Sequence, residues 1–388
     1  MRGLNVRLEK LKELIDKVAY DKVEIEQELR KKLGIKGELN FNSSGDIAPI
    51  LWETMGIQLT KGRSGRFIAN QKTLRNFNTP LTDSVAQYRK LEKLLSSLKA
   101  FFDATDEPQG KIFCTYTDDC PSGRLYTKNY NVQGISELGR CAIYPDGGCS
   151  FVLADYDSFE LRILSALAGD RYFKDCWSKG LDLHRKVVSD MKNIPYDSVT
   201  DKERKLGKCL NFGQSYGQEP AGLARNLHVS VAEASELMDS YKSNIPEIEK
   251  FKRDAIRFTQ TTGYTETYHG RKRLLPEIYS TSFVAKKKAE RQAVNTKIQG
   301  SASDIVKFSM VKLHNDGFKI DTMIHDSILM TIPDGEIKES AKRIKEIMEI
   351  EIEGMRFPVS IKIGKTWGEC LGNTENHSNY CLGQEEGQ

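Results

Sequence analysis

Two short apolar runs, each leading to an aspartate, constrain this chain more than any other feature. Phe151-Val152-Leu153-Ala154-Asp155 is a strand-like run that ends in a carboxylate, and Glu160 to Ala168 follow it with helical periodicity. Met323 to Met330 sets His325 and Asp326 between two apolar, β-like halves, as at the tip of a hairpin. A carboxylate delivered from an apolar strand needs a partner to offset its desolvation. Taken singly, either aspartate reads by default as a turn or helix-cap residue. Taken together on adjacent strand ends, they can share divalent cations, because Mg²⁺ favours one or two carboxylates plus substrate phosphates.

Between these runs lies Arg204-Lys205-Leu206-Gly207-Lys208-Cys209-Leu210-Asn211-Phe212-Gly213-Gln214-Ser215-Tyr216-Gly217. On a helix, Arg204, Lys208, Phe212 and Tyr216 fall four residues apart along one stripe. Two cations followed by two aromatics make a poor core stripe and a good nucleotide rail: the cations meet phosphates, Phe212 meets a sugar, and Tyr216 offers a ring for a base. A merely solvated amphipathic helix would not need Gly213 and Gly217 beside the aromatics, since glycine weakens a helix by roughly 1 kcal/mol relative to alanine.

The rest of the chain sets the frame. Its 388 residues predict two or three domains, each with enough apolar content for a core. With 58 Lys plus Arg against 54 Asp plus Glu, the formal charge of +4 excludes a uniformly basic coat and fits a basic cleft offset by acidic outer faces. No apolar run approaches the ~18 residues of a membrane span and the start has no export-type apolar region, so a soluble, cytoplasmic protein without membrane contact is expected. The eight cysteines form no CxxC pair and read as reduced thiols.

Residues 7 to 33 read as a charged amphipathic helix stopped by Gly34, and a second apolar-periodic stretch follows with Asp46 as its N-cap. Lys61 to Arg66 read as a mobile basic loop or a solvated turn. A long helix carries Tyr88, Leu91, Leu94, Leu95 and Leu98, and 111 to 150 read as strands and turns. From 151 onward the mixture of short strands and longer helices indicates an α+β or mixed α/β domain. Trp52, Trp177 and Trp367 read as core or interdomain packing, Lys286-Lys287-Lys288 as a solvated helix face, and the tail from 373 as frayed.

Several ordered motifs then resemble the family A (polymerase I-like) DNA polymerases. Asp155-Tyr156 with Glu160-Leu161-Arg162 resembles that family's motif A, Arg204 to Gly217 its motif B, and His325-Asp326 its motif C. Ser122-Gly123-Arg124-Leu125 with Asn131 and Gln133, Asp182-Leu183-His184, Gly270-Arg271-Lys272-Arg273, and Ala289 through Asn295 to Gln299 and Ile305 match in the family's order. Tyr88-Arg89-Lys90-Leu91 resembles its thumb helix, so the similarity covers nearly the whole chain.

The resemblance implies an α+β right-hand polymerase fold with an antiparallel-sheet palm and helical fingers and thumb. The thumb would cover 1–105, the palm 106–170 and 286–372, the fingers 171–285, and a flexible tail 373–388. It implies a DNA-templated DNA polymerase that extends a primer 3′-hydroxyl by two-metal phosphoryl transfer. Asp155 and Asp326, joined by the Tyr156 backbone carbonyl, would ligate two Mg²⁺ ions, with Mn²⁺ able to substitute. Arg204, Lys208 and His184 would bind phosphates, Lys208 also donating a proton to the leaving group. Glu160 would be the sugar gate, Phe212 the sugar-facing residue and Tyr216 the base-stacking ring. Arg124, Arg291, Asn295, Gln299 and His325 would contact DNA near the primer terminus. The partners implied are primer-template DNA, dNTPs and replication accessory proteins, for a monomer located in the cytoplasm, at the nucleoid if bacterial or phage, with an organelle also compatible.

Three departures qualify this picture. Ser327 stands where the family has an acidic residue, and Asp157 and Ser158 stand where Ser and Gln are common. The start of the chain, close to the start of the family's thumb, leads to the expectation of no proofreading exonuclease and no 5′ nuclease. The competing readings are a single-subunit RNA polymerase-like enzyme, opposed by Glu160 and Gln299-Gly300, and a catalytically weakened nucleic-acid-binding relative, favoured by Ser327 alone.

Overall fold

The computed structural model describes residues 3–372 except 36, 38, 63, 70–72, 75, 76, 78, 107, 216 and 228, with backbone alone at 214 and 215. The tail expected from 373 onward lies outside the described residues. The chain divides into two compact units, one formed by Met1–Thr115, Asn129–Phe151 and Ile363–Gln388, the other by Tyr116–Lys128 and Val152–Lys362.

In the first unit the helix Leu8–Leu33 packs along the helix Pro80–Asp103. Leu11, Leu14, Val18 and Leu29 form its buried stripe, and it stops at Gly34, whose φ of 63° lets its N–H cap the carbonyls of Arg30 and Lys31. The second long helix starts with a reciprocal cap between Thr79 and Thr82 and has Pro80 in its first turn. Between them the helix Ser44–Met55 is capped by Ser43, not by Asp46 as expected. Either side chain can cap, but the helix begins one residue after Ser43. The Ser43 hydroxyl accepts from the Asp46 N–H at 3.2 Å and donates to its carboxylate at 2.7 Å, which leaves Asp46 at the positive end of the helix dipole.

Phe41, Ile47, Leu51, Leu74, Val85 and Tyr88 make a second small core in this unit. Trp52, expected in core or interdomain packing, is 55% exposed, on the flank of the stripe formed by Ile47, Ala48 and Leu51. Lys61 bridges to Phe67 and Gly65 donates to Gly62, so the described residues of this basic segment turn back on themselves. Leu4–Val6 is the middle strand of an antiparallel trio with Lys111–Ile112 and Ile143–Tyr144. Trp367 is buried, with the Arg140 guanidinium 4.6 Å from its ring centre.

The second unit is built on a four-stranded sheet in the order Val359–Gly364, Cys149–Tyr156, Ser327–Pro333, Lys319–Ile324. The central strand is buried from Ser150 to Ala154, which is why it reads as a continuous apolar run without alternation. The last two strands form an antiparallel hairpin whose two-residue connection is His325-Asp326, with Ser327 opposite Ile324. Its helices Phe159–Ala168 and Ser301–Asn315 add Leu161, Leu164, Ile305, Val306 and Leu313 to the same core as Val152, Ala154, Ile328 and Met330. Burying each such side chain contributes about 1.5–3 kcal/mol.

The helix Phe283–Asn295 runs without interruption into Ser301–Asn315 through a π-helical turn at Thr296–Gly300. Lys286, Lys287 and Lys288 lie on its exposed face, as expected. No described helix is long and apolar enough to cross a membrane.

Candidate active site

The sheet delivers both aspartates to one place. Asp155 is the penultimate residue of its strand, and Asp326 sits at the hairpin tip after His325, whose φ of 53° lies in the left-handed region that non-glycine residues avoid. The Tyr156 hydroxyl anchors this strand end by bonding the Ser309 hydroxyl at 2.8 Å and the Met348 carbonyl at 2.6 Å. Ser360 donates to the Asp155 carbonyl, and the Asp157 N–H to that of Pro358. At the hairpin, the Ser327 hydroxyl donates to the Ile324 carbonyl at 3.0 Å, so it closes the turn.

The electrostatics of this pair are unfavourable in the absence of a cation. Burial pushes the Asp326 carboxyl up to about 7, with the Asp155 charge acting in the same direction and Glu160 adding to it. Asp155 is also raised, by burial first and by Asp157 second, against the opposing pull of Lys362. Lys362 and Arg124 only partly offset the repulsion between these two desolvated carboxylates, a condition that hard-oxygen binding of a divalent ion relieves. The two aspartates stand as a pair: among the described residues no group of three His, Cys, Asp or Glu side chains is placed to hold a metal.

Glu160 lies in the first turn of the helix that follows the Asp155 strand, and its carboxylate is paired with the Arg124 guanidinium. The loop carrying Arg124 is held by Arg271, whose Nη2 donates to the Ser122 carbonyl at 3.0 Å and whose Nε donates to Asp304 at 2.8 Å. Gly123 has φ 76°, and a Cβ there would collide with the Arg271 guanidinium. The Ser303 hydroxyl donates to the Gly123 carbonyl at 2.6 Å. Gly270-Arg271-Lys272-Arg273, noted in the sequence only as a motif, is therefore the clamp on the Arg124 loop.

A second cluster forms on the helix Asp201–Ser215. Arg204 places Nε and Nη2 on the same oxygen of Asp182, at 3.0 and 2.7 Å, while the other Asp182 oxygen caps the helix Leu183–Lys192 through the Arg185 N–H. His184 follows in the first turn of that helix, its ring 5.8 Å from Phe212. The two helices approach closely at Gly207, where a Cβ would overlap the His184 carbonyl oxygen. His184 is pushed down to about 4, first by burial and then by Arg204 and Lys208, against Asp182. The imidazole is thus neutral at neutral pH. Asn211 Nδ2 lies 2.7 Å from His184 Nδ1, and the Tyr241 hydroxyl donates to Asn211 Oδ1 at 2.8 Å. Arg204, Lys208 and Phe212 thus share a neighbourhood with His184, whereas Tyr216 lies outside the described residues.

Arg291 and Asn295 belong to the helix Phe283–Asn295, and Gln299 to the π-helical turn that continues it. Arg291 pairs with Glu219 at 3.5 Å and lies against Gly217, where a Cβ would come within 3.2 Å of its Cγ. Among the described residues the buried Asn295 Oδ1 has no hydrogen-bond partner. Asp182, Asn211 and Asp304, quoted from the sequence only within motifs and given no role there, and Tyr241, not noted at all, carry this site as much as the residues given roles. Their signal was a buried polar group beside a cation or histidine, which only the fold brings together.

The chain matches DNA polymerase family A over residues 8–369. It is 28% identical to DNA polymerase I of Chloroflexus aurantiacus, over 95% of this chain and 41% of that protein. It is 30% identical to DNA polymerase I of Streptococcus pneumoniae serotype 4, over 95% of this chain and 44% of that protein. The chain thus spans less than half the length of these curated relatives. Its structure is similar to the POL domain of Pol1 from M. smegmatis, solved in complex with DNA primer-template and dNTP. The TM-score is 0.86, with 26% identity, covering 94% of this chain and 67% of that one. The chain belongs to DNA polymerase family A, and its α+β fold is that of the family's polymerase domain.

Proposed function

We propose that this chain is a DNA-templated DNA polymerase that extends a primer 3′-hydroxyl with deoxynucleoside triphosphates. The observation that carries the reading is the pairing, within one unit, of two half-buried carboxylates that repel one another with a helix presenting Arg204, Lys208 and Phe212 beside a neutral His184. A module that only binds nucleic acid has no use for both.

In this reading Asp155, Asp326 and the Tyr156 carbonyl would hold two Mg²⁺ ions, or Mn²⁺ in their place, which supply activation of the primer 3′-oxygen and neutralise charge on the triphosphate. Arg204, oriented by Asp182, and Lys208 bind the phosphates, and the Lys208 Nζ gives a proton to the departing pyrophosphate. Glu160 occupies the space that a 2′-hydroxyl would need, Phe212 faces the sugar and Tyr216 stacks on the base. Arg124, Arg291, Asn295, Gln299 and His325 contact the primer-template duplex. They do so largely through the minor groove, where acceptors are similar for every pair, so binding is sequence-tolerant and falls with salt. The subdomains follow as a thumb at 1–105, a palm at 106–170 and 286–372, and fingers at 171–285. We read the protein as a monomer working at the cytoplasmic nucleoid, with replication accessory proteins as further partners.

The test is extension of a labelled primer on a DNA template with Mg²⁺, comparing deoxy- with ribonucleotides and wild type with Asp326→Ala. Extension by deoxynucleotides alone, lost in the variant, supports the reading. Wild-type protein that binds the primer-template but never extends it with either metal overturns it in favour of a binding protein that retains the fold.

A further inference from the structure

We infer that Asn211 and Tyr241 are positioning residues that lock His184 in the tautomer with its proton on Nε2, so that the ring presents a neutral N–H donor to the nucleotide's phosphates. The inference rests on the polymerase reading, because it takes the bound group to be a triphosphate.

Three helices contribute one residue each to a buried relay: Tyr241 from Val231–Ser243, Asn211 from Asp201–Ser215 and His184 from Leu183–Lys192. Asn211 and Tyr241 are each 1% exposed, so water does not compete for their hydrogen bonds. Burial and the charges of Asp170 and Glu249 hold the Tyr241 phenol in its protonated form, and it donates to Asn211 Oδ1 at 2.8 Å. With its oxygen on the Tyr241 side, the amide has its N–H₂ facing His184 Nδ1 at 2.7 Å. An Nδ1–H tautomer would set two donors against each other there at 2.7 Å, at a cost of about 1–3 kcal/mol. His184 is kept from becoming an imidazolium by its burial and by Arg204 and Lys208, with Asp182 opposing. The two cations supply charge to the phosphates. The imidazole supplies direction, since a single N–H on a fixed ring aims at one oxygen.

The experiment uses the whole chain labelled with ¹⁵N-histidine, with the His184 signal assigned by its loss in His184→Gln. Long-range proton–nitrogen correlations give the tautomer in wild type, Asn211→Leu and Tyr241→Phe, and the same proteins are assayed for dNTP and primer-template affinity. The expected result is Nε2–H in wild type at pH 7. Tyr241→Phe, which removes one oxygen and leaves the core filled, should show a mixed tautomer. Its dNTP Kd should rise about five- to tenfold, the loss of roughly one buried hydrogen bond, while primer-template Kd stays within about twofold. An Nδ1–H or imidazolium ring in wild type overturns the proposal, as does a tautomer unchanged in both variants. If the tautomer responds as expected but wild type binds no dNTP, the relay exists and the nucleotide assignment is wrong. That outcome overturns the polymerase reading without touching the hydrogen bonds.

Discussion

Glu160 and Arg124 form an ion pair in which the carboxylate is mostly withdrawn from water, at 12% side-chain exposure, and the guanidinium is half-buried at 37%. The side chain read as the sugar gate is thereby held by the one read as a contact to the primer terminus. Glu160→Ala should relax discrimination against ribonucleotides. Arg124→Ala should do the same in part, by about fivefold for a partly exposed pair worth ~1 kcal/mol. The check is the ratio of kcat/KM for a deoxynucleotide and its ribonucleotide. A ratio unmoved by Arg124→Ala would mean that Glu160 is fixed without it.

The aspartate pair should write a pH dependence into the metal-free protein. Asp326 and Asp155 both have folded pKa values raised above their unfolded ones, so the folded state binds more protons than the unfolded state between about pH 4 and 7. Stability contributed by these groups is therefore greatest at low pH and is lost as pH rises toward 7. Melting temperature in EDTA should fall over that window. Mg²⁺ should flatten the slope, and Asp326→Asn should melt at or above wild type at pH 7.5 while losing at least ~10³-fold in extension rate. A lower melting temperature for Asp326→Asn would refute the charge argument.

Gly207→Ala tests the contact between the two helices of the phosphate cluster. Alanine is the better helix former by about 1 kcal/mol, but its Cβ falls on the His184 carbonyl oxygen. The helices must separate, so we expect a net loss of about 1–3 kcal/mol by chemical denaturation and a raised KM for dNTP. A stabilised variant with normal KM would show that the helices can part freely.

Arg271→Ala should be worse than its position outside the reacting groups suggests. It would release the Ser122 and Gly300 carbonyls and strip Asp304, whose second oxygen is already buried without a partner. Losing this partly exposed pair costs about 1 kcal/mol and each of the two carbonyl hydrogen bonds about 1 kcal/mol more. Primer-template affinity should fall as the Arg124 loop loosens, and Arg271→Lys, lacking the fork, should recover little of it. Equal affinity in wild type and Arg271→Ala would remove the clamp from the argument.

The readable part of this protein was what repeats locally. A four-residue spacing of cations and aromatics, an apolar run stopped by aspartate and a His-Asp tip each state their element and its exposed chemistry within a few residues. Partnerships across elements were not readable. Asn211 looks like any helix residue until Tyr241 and His184 flank it, and the match at Asp182 declares neither that it caps a helix nor that it orients Arg204. Trp52 was misplaced because size and apolarity were taken as burial, whereas it sits at the margin of its helix's buried stripe and stays exposed. Ser43 and Asp46 were confused because both can cap and only the backbone decides which residue stands at the threshold.

The π-helical turn at Thr296–Gly300 has a bearing on how this segment can change length. A loop of backbone bonded five residues ahead accommodates one residue beyond what the α-helix on either side would take. Deleting a residue inside it can relax into ordinary α-helix and leave both flanks in register. The same deletion anywhere between Phe283 and Asn295 would swing Arg291 or Asn295 about 100° around the axis. A single-residue deletion should therefore be survivable for folding at this one joint, and intolerable a turn to either side of it.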